Sequence, residues 1–254
     1  MHADWLQPAG LPPRVGAVMS TRRGGVSSSP WDSMNLGAGV ADDADAVASN
    51  RSRLARAIGA VPVFLEQVHG ARVVRIDATD AEASRGPLRA DASLTTEPGV
   101  ASTVLVADCL PVLLWAPEGR AVAAAHAGWR GLAGGVVEAA LAALCEAARC
   151  EPGEVQAWFG ACIGPRAFEV GADVLAAFGG DPSAPDPAFF VARPEAGKWL
   201  ANLPGLARER LRCAGLRSVA GGQWCTVGEP LRFFSYRRDG VTGRMACAIW
   251  IRPG

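Results

Sequence analysis

Hydrophobic and polar positions along the chain switch between a helical period, a strand-like period of two and short unbroken apolar runs. Residues 42–58 follow the helical period, with acidic residues early and arginines late, the polarity that a helix dipole favours. Apolar, β-branched runs predict strands over 61–69, 72–76, 100–107 and 111–115. Residues 121–125 read as a short buried strand leading into His-Ala-Gly-Trp-Arg-Gly, and 132–148 carry a 3.6-residue repeat that predicts one helix. A strand at 155–159, helices near 171–178 and 199–213, and closing strands at 231–236 and 245–251 complete the reading. The Gly/Ser/Pro-rich segment 20–37 reads as a long irregular loop, and 179–187 as a surface loop. Strands and helices mix without strict alternation. The prediction is an α/β (α+β) fold, a single layered domain over 1–254 with a mixed β-sheet flanked by helices, rather than a doubly wound sheet.

Composition narrows the function classes. Half of the 254 residues are hydrophobic and a fifth are charged, a globular balance able to bury a core. Lys+Arg and Asp+Glu stand at 25 each, so no net charge draws the chain to nucleic acid or to an anionic membrane. Lys198 is the sole lysine, and the remaining positive charge is Arg, the planar fork for phosphate and carboxylate. The longest apolar run, 100–117, is interrupted by Asp108 and is shorter than the ~20 residues of a membrane span. No basic segment followed by an apolar core opens the chain, and the seven cysteines include no C-x-x-C pair. Reduced thiols and a cytoplasmic location are expected. The neutral surface and the lack of heptads leave monomer and homodimer both open.

Only three histidines are present, His2, His69 and His126. Three strand-like runs end in turns bearing a metal-capable side chain: Glu-Gln-Val-His-Gly at 66–70, Val-Ala-Asp-Cys-Leu-Pro at 106–111 and the segment 123–131 around His126. Two imidazoles and one thiolate from His69, Cys109 and His126 make a three-ligand zinc site with a fourth position left for water or substrate. A structural zinc would recruit four protein ligands instead. The competing readings of the same residues are ordinary buried or hydrogen-bonded side chains, and a metal-free cysteine hydrolase or amidase with Cys109 as nucleophile and His126 or His69 as base. A third is a non-enzymatic, zinc-stabilised binding module.

These segments, with TRRGGVSSSPWDSMNLG, DDADAVASNRSRL, DAS at 91–93, VADCLPVLLWAP, AAAHAGWRGLAGG, GACIGPRAFEVG and FFSYRRDGVTGRMACAIW, run almost end to end. Together they resemble the YfiH-type laccase-domain family, once called multicopper polyphenol oxidases and now regarded as purine nucleoside phosphorylases. The resemblance implies that family's fold and a Zn2+ held by His69, Cys109 and His126, which would then be the catalytic centre. It also implies phosphorolysis of adenosine, inosine and methylthioadenosine, with hydrolytic deamination of adenosine. At 202–203 the family pattern has Asp-Leu where this chain has Asn202-Leu203. A four-copper laccase is excluded by the residues themselves, because it needs about ten imidazoles and a blue-copper His/Cys/Met set.

Phosphorolysis needs an anion pocket, ribose partners and a stabiliser of the departing base. Arg130, with backbone amides just before a predicted helix, is the first phosphate candidate. A terminal hairpin expected over 235–244 brings Ser235, Arg237, Arg238 and Arg244 close, with Ser235, Arg237 and Arg244 as substrate candidates, or else places Arg244 against Asp239 across a simple turn. Asn35 and Gln67 can bind ribose hydroxyls or the base edge, or can cap turns. For proton transfer Asp108, Glu66 and Glu169 are the available carboxylates. Alternation along a strand would turn Asp108 away from Cys109 and toward holding a loop. Cys162 reads as a buried small residue rather than a second reactive thiol.

Overall fold

Alternate residues of a strand face opposite sides of its sheet, so a strand that is buried throughout must lie between two apolar layers. A computed structural model describes residues 2–81, 86 and 88–254. Its strands are β1 (Val15–Met19), β2 (Val61–Phe64), β3 (Val73–Arg75), β4 (Ala92–Thr95), β5 (Val100–Val106), β6 (Leu110–Trp115), β7 (Val122–Ala127), β8 (Gln156–Phe159), β9 (Glu169–Val170), β10 (Phe190–Ala192), β11 (Trp199–Ala201), β12 (Ser218–Gly221) and β13 (Met245–Ile251). The helices are α1 (Ala44–Ile58), α2 (Trp129–Ala133), α3 (Val136–Ala148), α4 (Ala172–Ala177), α5 (Leu203–Cys213) and α6 (Tyr236–Asp239).

A mixed four-stranded sheet, β1-β13-β5-β2, stacks on a mixed six-stranded one, β12-β8-β6-β7-β4-β3. Met245, Cys247, Ile249 and Ile251 of β13 point into the interlayer core, where they meet Leu113, Trp115, Val122 and Ala124 of the facing sheet. The intervening Ala246, Ala248 and Trp250 point outward and are covered by α1 through Leu54 and Ile58. On the far side, Val112 and Leu114 of β6 and Ala123 and Ala125 of β7 pack beneath Leu141 and Leu144 of α3 and Leu211 of α5. The result is helix, sheet, sheet, helix in four layers. A small third sheet, β10-β11-β9, flanks the second core.

Helix α1 illustrates the local logic. Asp43 caps its first turn, accepting the Asp45 amide, and Gly59 ends it in the left-handed conformation at φ 64°. Val47, Asn50, Leu54 and Ile58 recur on one buried face. Burying each large aliphatic side chain there is worth about 1.5–3 kcal/mol.

Several expectations need correction. The strand predicted over 61–69 stops at Phe64, because its residues turn into the loop that carries His69. The single helix expected over 132–148 is broken at Gly134-Gly135, where Gly135 takes φ 93°. Residues 199–201 form strand β11, and Asn202 then caps α5 by accepting the Gly205 amide. Residues 231–236 do not form a strand, and the expected hairpin is instead the one-turn helix α6, capped by Ser235. Asp239 pairs with Arg238 at 2.7 Å, not with Arg244. Strands β1, β4, β9, β10 and β12 are additional to those the pattern predicts. Among the described residues no helix is long and apolar enough to cross a membrane.

Candidate metal centre and its cavity

Strand register gathers the site at one end of the stacked sheets. Met245 pairs with Val106, Phe64 with Thr103, Leu110 with Ala127 and Ala92 with Ala125. The ends of β2, β5 and β7 and the beginnings of β4, β6 and β13 therefore lie together, and the three predicted donors come from loops and a strand end at that edge. His126 is the penultimate residue of β7 and is buried. Cys109 sits in the tight turn between β5 and β6. His69 follows β2 on a loop and has φ 60°, a left-handed conformation that histidine tolerates better than most residues.

Asp91, wholly buried just before β4, organises this assembly. Its carboxylate accepts three successive amides, from Val68 at 3.1 Å, His69 at 2.8 Å and Gly70 at 2.7 Å. The same carboxylate lies 2.9 Å from His126 Nδ1. One acid thus shapes the turn bearing the first imidazole and fixes the second imidazole with its Nε2 toward the donors. Burial alone would raise the Asp91 pKa. The hydrogen bonds from His126 and the backbone amides outweigh that and hold it below the ordinary carboxylate value. Asp91 was visible in the Asp-Ala-Ser motif, but sequence gave no sign of its partners.

The donor atoms of His69, Cys109 and His126 all lie within 4.8 Å of one another, with Cys109 Sγ 3.9 Å from His69 Nε2. Two imidazole nitrogens and a thiolate at this spacing suit a small tetrahedral cation. Gly128 leaves the space they need. A Cβ there would lie 2.9 Å from Cys109 Sγ and 3.0 Å from His69 Cδ2. The group fits a metal ion. Without one, burial pushes the Cys109 thiol up, but the His126 and His69 imidazoles pull it down to about 6. Burial likewise opposes the His126 charge, yet the Cys109 thiolate and Asp91 raise its pKa to about 9.

A cavity of about 1110 Å³ opens beside the donors. Aromatic side chains Phe64, Trp129, Phe168 and Tyr236 contribute to its wall, as do Arg51, Arg130, Arg237 and Arg244. Arg130 is exposed and lies over the Trp129 ring, 4.2 Å from its centroid. Arg237 donates Nη1 to the Glu169 carbonyl at 2.9 Å. Arg51 belongs to α1 and was read only as part of a helix.

The remaining candidates take structural positions. Asn35 is wholly buried behind the wall, where Oδ1 accepts the Gly37 and Arg244 amides and Nδ2 donates to Asp42. Gln67 reaches the cavity, but its amide is paired at both ends with the Leu105 backbone, at 2.7 and 2.8 Å. Ser235 is buried and caps α6. Strand β5 ends before Asp108, so strand alternation does not set its direction; Asp108 adopts φ 96°, lines the cavity beside Cys109 and holds the loop. Its carboxylate accepts Thr226 Oγ1 at 2.5 Å and the Arg237 amide at 2.6 Å. Glu66 pairs with Arg89 and Glu169 with Arg193. Cys162 is buried, which drives its thiol pKa upward and keeps it protonated.

A layered α/β architecture thus sets a His-Cys-His group that could hold a metal ion in the wall of a cavity. The family described as multi-copper polyphenol oxidoreductase laccase matches residues 16–252. The chain belongs to that family. A Pseudomonas aeruginosa protein named purine nucleoside phosphorylase is 47% identical over 250 residues, covering 98% of this chain and 97% of its own. Escherichia coli YfiH, also named purine nucleoside phosphorylase, is 46% identical over 250 residues with the same coverage. The crystal structure of a Neisseria meningitidis protein superposes with a TM-score of 0.89 at 44% identity, covering 98% of this chain and all (100%) of that one. YlmD from Geobacillus stearothermophilus gives 0.90 at 32% identity, covering 100% of this chain and 98% of that one.

Proposed function

We propose that residues 1–254 act as one domain, a zinc-dependent purine nucleoside phosphorylase. Its substrates are adenosine, inosine and S-methyl-5′-thioadenosine with inorganic phosphate, and adenosine deamination is a second activity of the same site. The observation that carries this reading is the His69, Cys109 and His126 group opening into a cavity walled by aromatic rings and arginines. The names of relatives 46–47% identical over nearly the whole chain support it.

His69, Cys109 and His126 would hold the zinc, which when bound supplies a Lewis acid able to polarise an oxygen and acidify water. Asp91 fixes the proton on His126 Nδ1, leaving Nε2 as the donor. Aromatic faces from Phe64, Trp129, Phe168 and Tyr236 suit a purine ring, for which stacking is the least direction-dependent contact. Guanidinium groups on the same wall neutralise a phosphate approaching the ribose. The reaction transfers the ribosyl group from the base to phosphate, and the purine leaves with its electron pair. The cytoplasm is the proposed location, with the chain acting as monomer or homodimer.

A second reading is favoured by one observation, the Cys109 thiol lying within 4.8 Å of both imidazoles, which lowers its pKa. In it, metal-free Cys109 is the nucleophile of a hydrolase and His126 its proton partner. Incubation of metal-quantified protein with the three nucleosides, with and without phosphate, separates the two. Phosphate-dependent release of hypoxanthine or adenine by protein carrying one zinc per chain supports the phosphorylase. His126→Ala is expected to remove both metal and activity, and phosphorolysis at full rate in that variant would eliminate the zinc role. Neither zinc nor product would turn attention to the hydrolase.

A further inference from the structure

Arg51 projects from α1 onto the cavity wall with its guanidinium 4.1 Å from the Phe64 ring centroid. Its Nε donates to the Leu36 carbonyl at 3.0 Å, and among the described residues its two Nη atoms make no protein hydrogen bond. The amide of the same Leu36 donates to the Arg244 carbonyl at 3.0 Å. A Cβ on Gly37 would lie 2.7 Å from Arg244 Cγ, so only glycine lets that side chain pass so close. The two arginines therefore flank one short stretch of backbone, residues 36–37, at the edge of the cavity.

Arg244 directs Nη1 to the Thr242 and Gly243 carbonyls, at 3.0 and 3.1 Å, and keeps Nε and Nη2 free of protein partners among the described residues. Neither arginine forms an ion pair with a carboxylate among the described residues. Both are half-buried, and that burial lowers the pKa of each; the Cys109 and Asp108 charges oppose the effect at Arg244. A partly desolvated cation without a counter-ion is costly, and a bound anion removes the cost. The other cavity arginines differ. Arg130, on a five-residue helix, and Arg237, on a four-residue one, are both exposed, so water already solvates their charge.

We propose that Arg51 and Arg244 form the inorganic-phosphate subsite, against residues 36–37, and that Arg130 is not its principal anchor. This inference rests on the phosphorylase reading and names the side chains that take its second substrate. The free nitrogens of two half-buried guanidinium forks match tetrahedral oxygens bidentately and together offer more desolvated donors than the single exposed fork of Arg130.

The test measures phosphate binding to metal-quantified, nucleoside-free protein by calorimetry, together with KM for phosphate and for inosine. It compares wild type with Arg51→Gln, Arg51→Lys, Arg244→Gln and Arg130→Gln. Arg51→Gln and Arg244→Gln are expected to weaken phosphate binding and raise phosphate KM about tenfold or more, equivalent to ~1.4 kcal/mol, while inosine KM moves less than about threefold. Arg51→Lys keeps the charge but loses the fork and falls between. Arg244→Gln leaves α1 intact and carries the test if Arg51→Gln does not fold. Unchanged phosphate affinity in both Gln variants, loss in Arg130→Gln alone, or no phosphate binding by wild type overturns the proposal. If wild type lacks phosphorolysis but phosphate binding still disappears in Arg51→Gln, the phosphorylase reading fails and the anion subsite stands. If wild type phosphorolyses inosine and both Gln variants keep the wild-type phosphate KM, the subsite fails and the reading stands.

Discussion

Asp91 Oδ1 lies 2.9 Å from His126 Nδ1, and the same carboxylate accepts the amides of Val68, His69 and Gly70. One buried acid therefore sets both the orientation of one metal donor and the backbone of the other. Asp91→Asn is expected to lower metal affinity about 10–100-fold, because an amide cannot accept all four donors and leaves His126 free to rotate or change tautomer. Competition with a chromogenic chelator measures it. Wild-type affinity in the variant would show that the carboxylate does not support the donors.

Gly128→Ala isolates the space around the donors. Gly128 has φ −66° and ψ 161°, which alanine adopts freely, so backbone strain is absent. The new methyl carbon would meet Cys109 Sγ and His69 Cδ2 at 2.9 and 3.0 Å. The expected outcome is a protein with a near wild-type unfolding midpoint and strongly reduced metal content, read by elemental analysis and thermal denaturation. Full metal occupancy would contradict it.

The pH dependence of metal binding follows from the pair of donors. In the metal-free protein Cys109 titrates at about 6 and His126 at about 9, so between these values they stand as thiolate and imidazolium. Metal binding then displaces one proton, from His126, within that window and a second, from Cys109, below it. Apparent affinity is expected to rise at least about tenfold per pH unit across the window and more steeply beneath it. A flat profile from weakly acidic to neutral pH would contradict the pairing. Alkylation of metal-free Cys109 by iodoacetamide should already be on its plateau near neutrality, whereas an ordinary thiol keeps accelerating to about pH 8.5.

Asn50 stabilises the loop beneath the cavity wall. Wholly buried, it donates to Ser27 Oγ, the Ser33 carbonyl and the Asn35 carbonyl, and accepts the Val26 amide at 2.9 Å. Asn50→Ala leaves the Val26 amide and the Asn35 carbonyl without a hydrogen-bond partner among the described residues and is expected to cost about 2–4 kcal/mol, measured by urea unfolding. A loss below about 1 kcal/mol would mean that water or a shifted loop replaces the bonds.

The chain's own pattern was enough to locate α1, β5, β6, β7, β8 and β13, because each buries a face whose period is written in consecutive residues. It also pointed to the three residues that the structure gathers into a group able to hold a metal ion, since two of only three histidines and a cysteine follow apolar runs in recognisable motifs. Periodicity reports how a segment is buried, not what it faces. It therefore ran one helix through Gly134-Gly135 and read 231–236 as a strand, where apolar Phe233 and Phe234 are buried without strand pairing. Asn35 and Ser235 carried polar groups suited to a substrate, and burial assigned those groups to backbone amides instead. The roles of Asp91 and Arg51 were decided by the tertiary structure alone. A carboxylate becomes a support for two metal donors only when a turn 21–23 residues away and a strand 35 residues away are brought to it. An arginine on a helix becomes a cavity cation only when Leu36 and Phe64 hold it there. Sequence determined which groups were available for chemistry, and packing determined which of them were left unpaired to perform it.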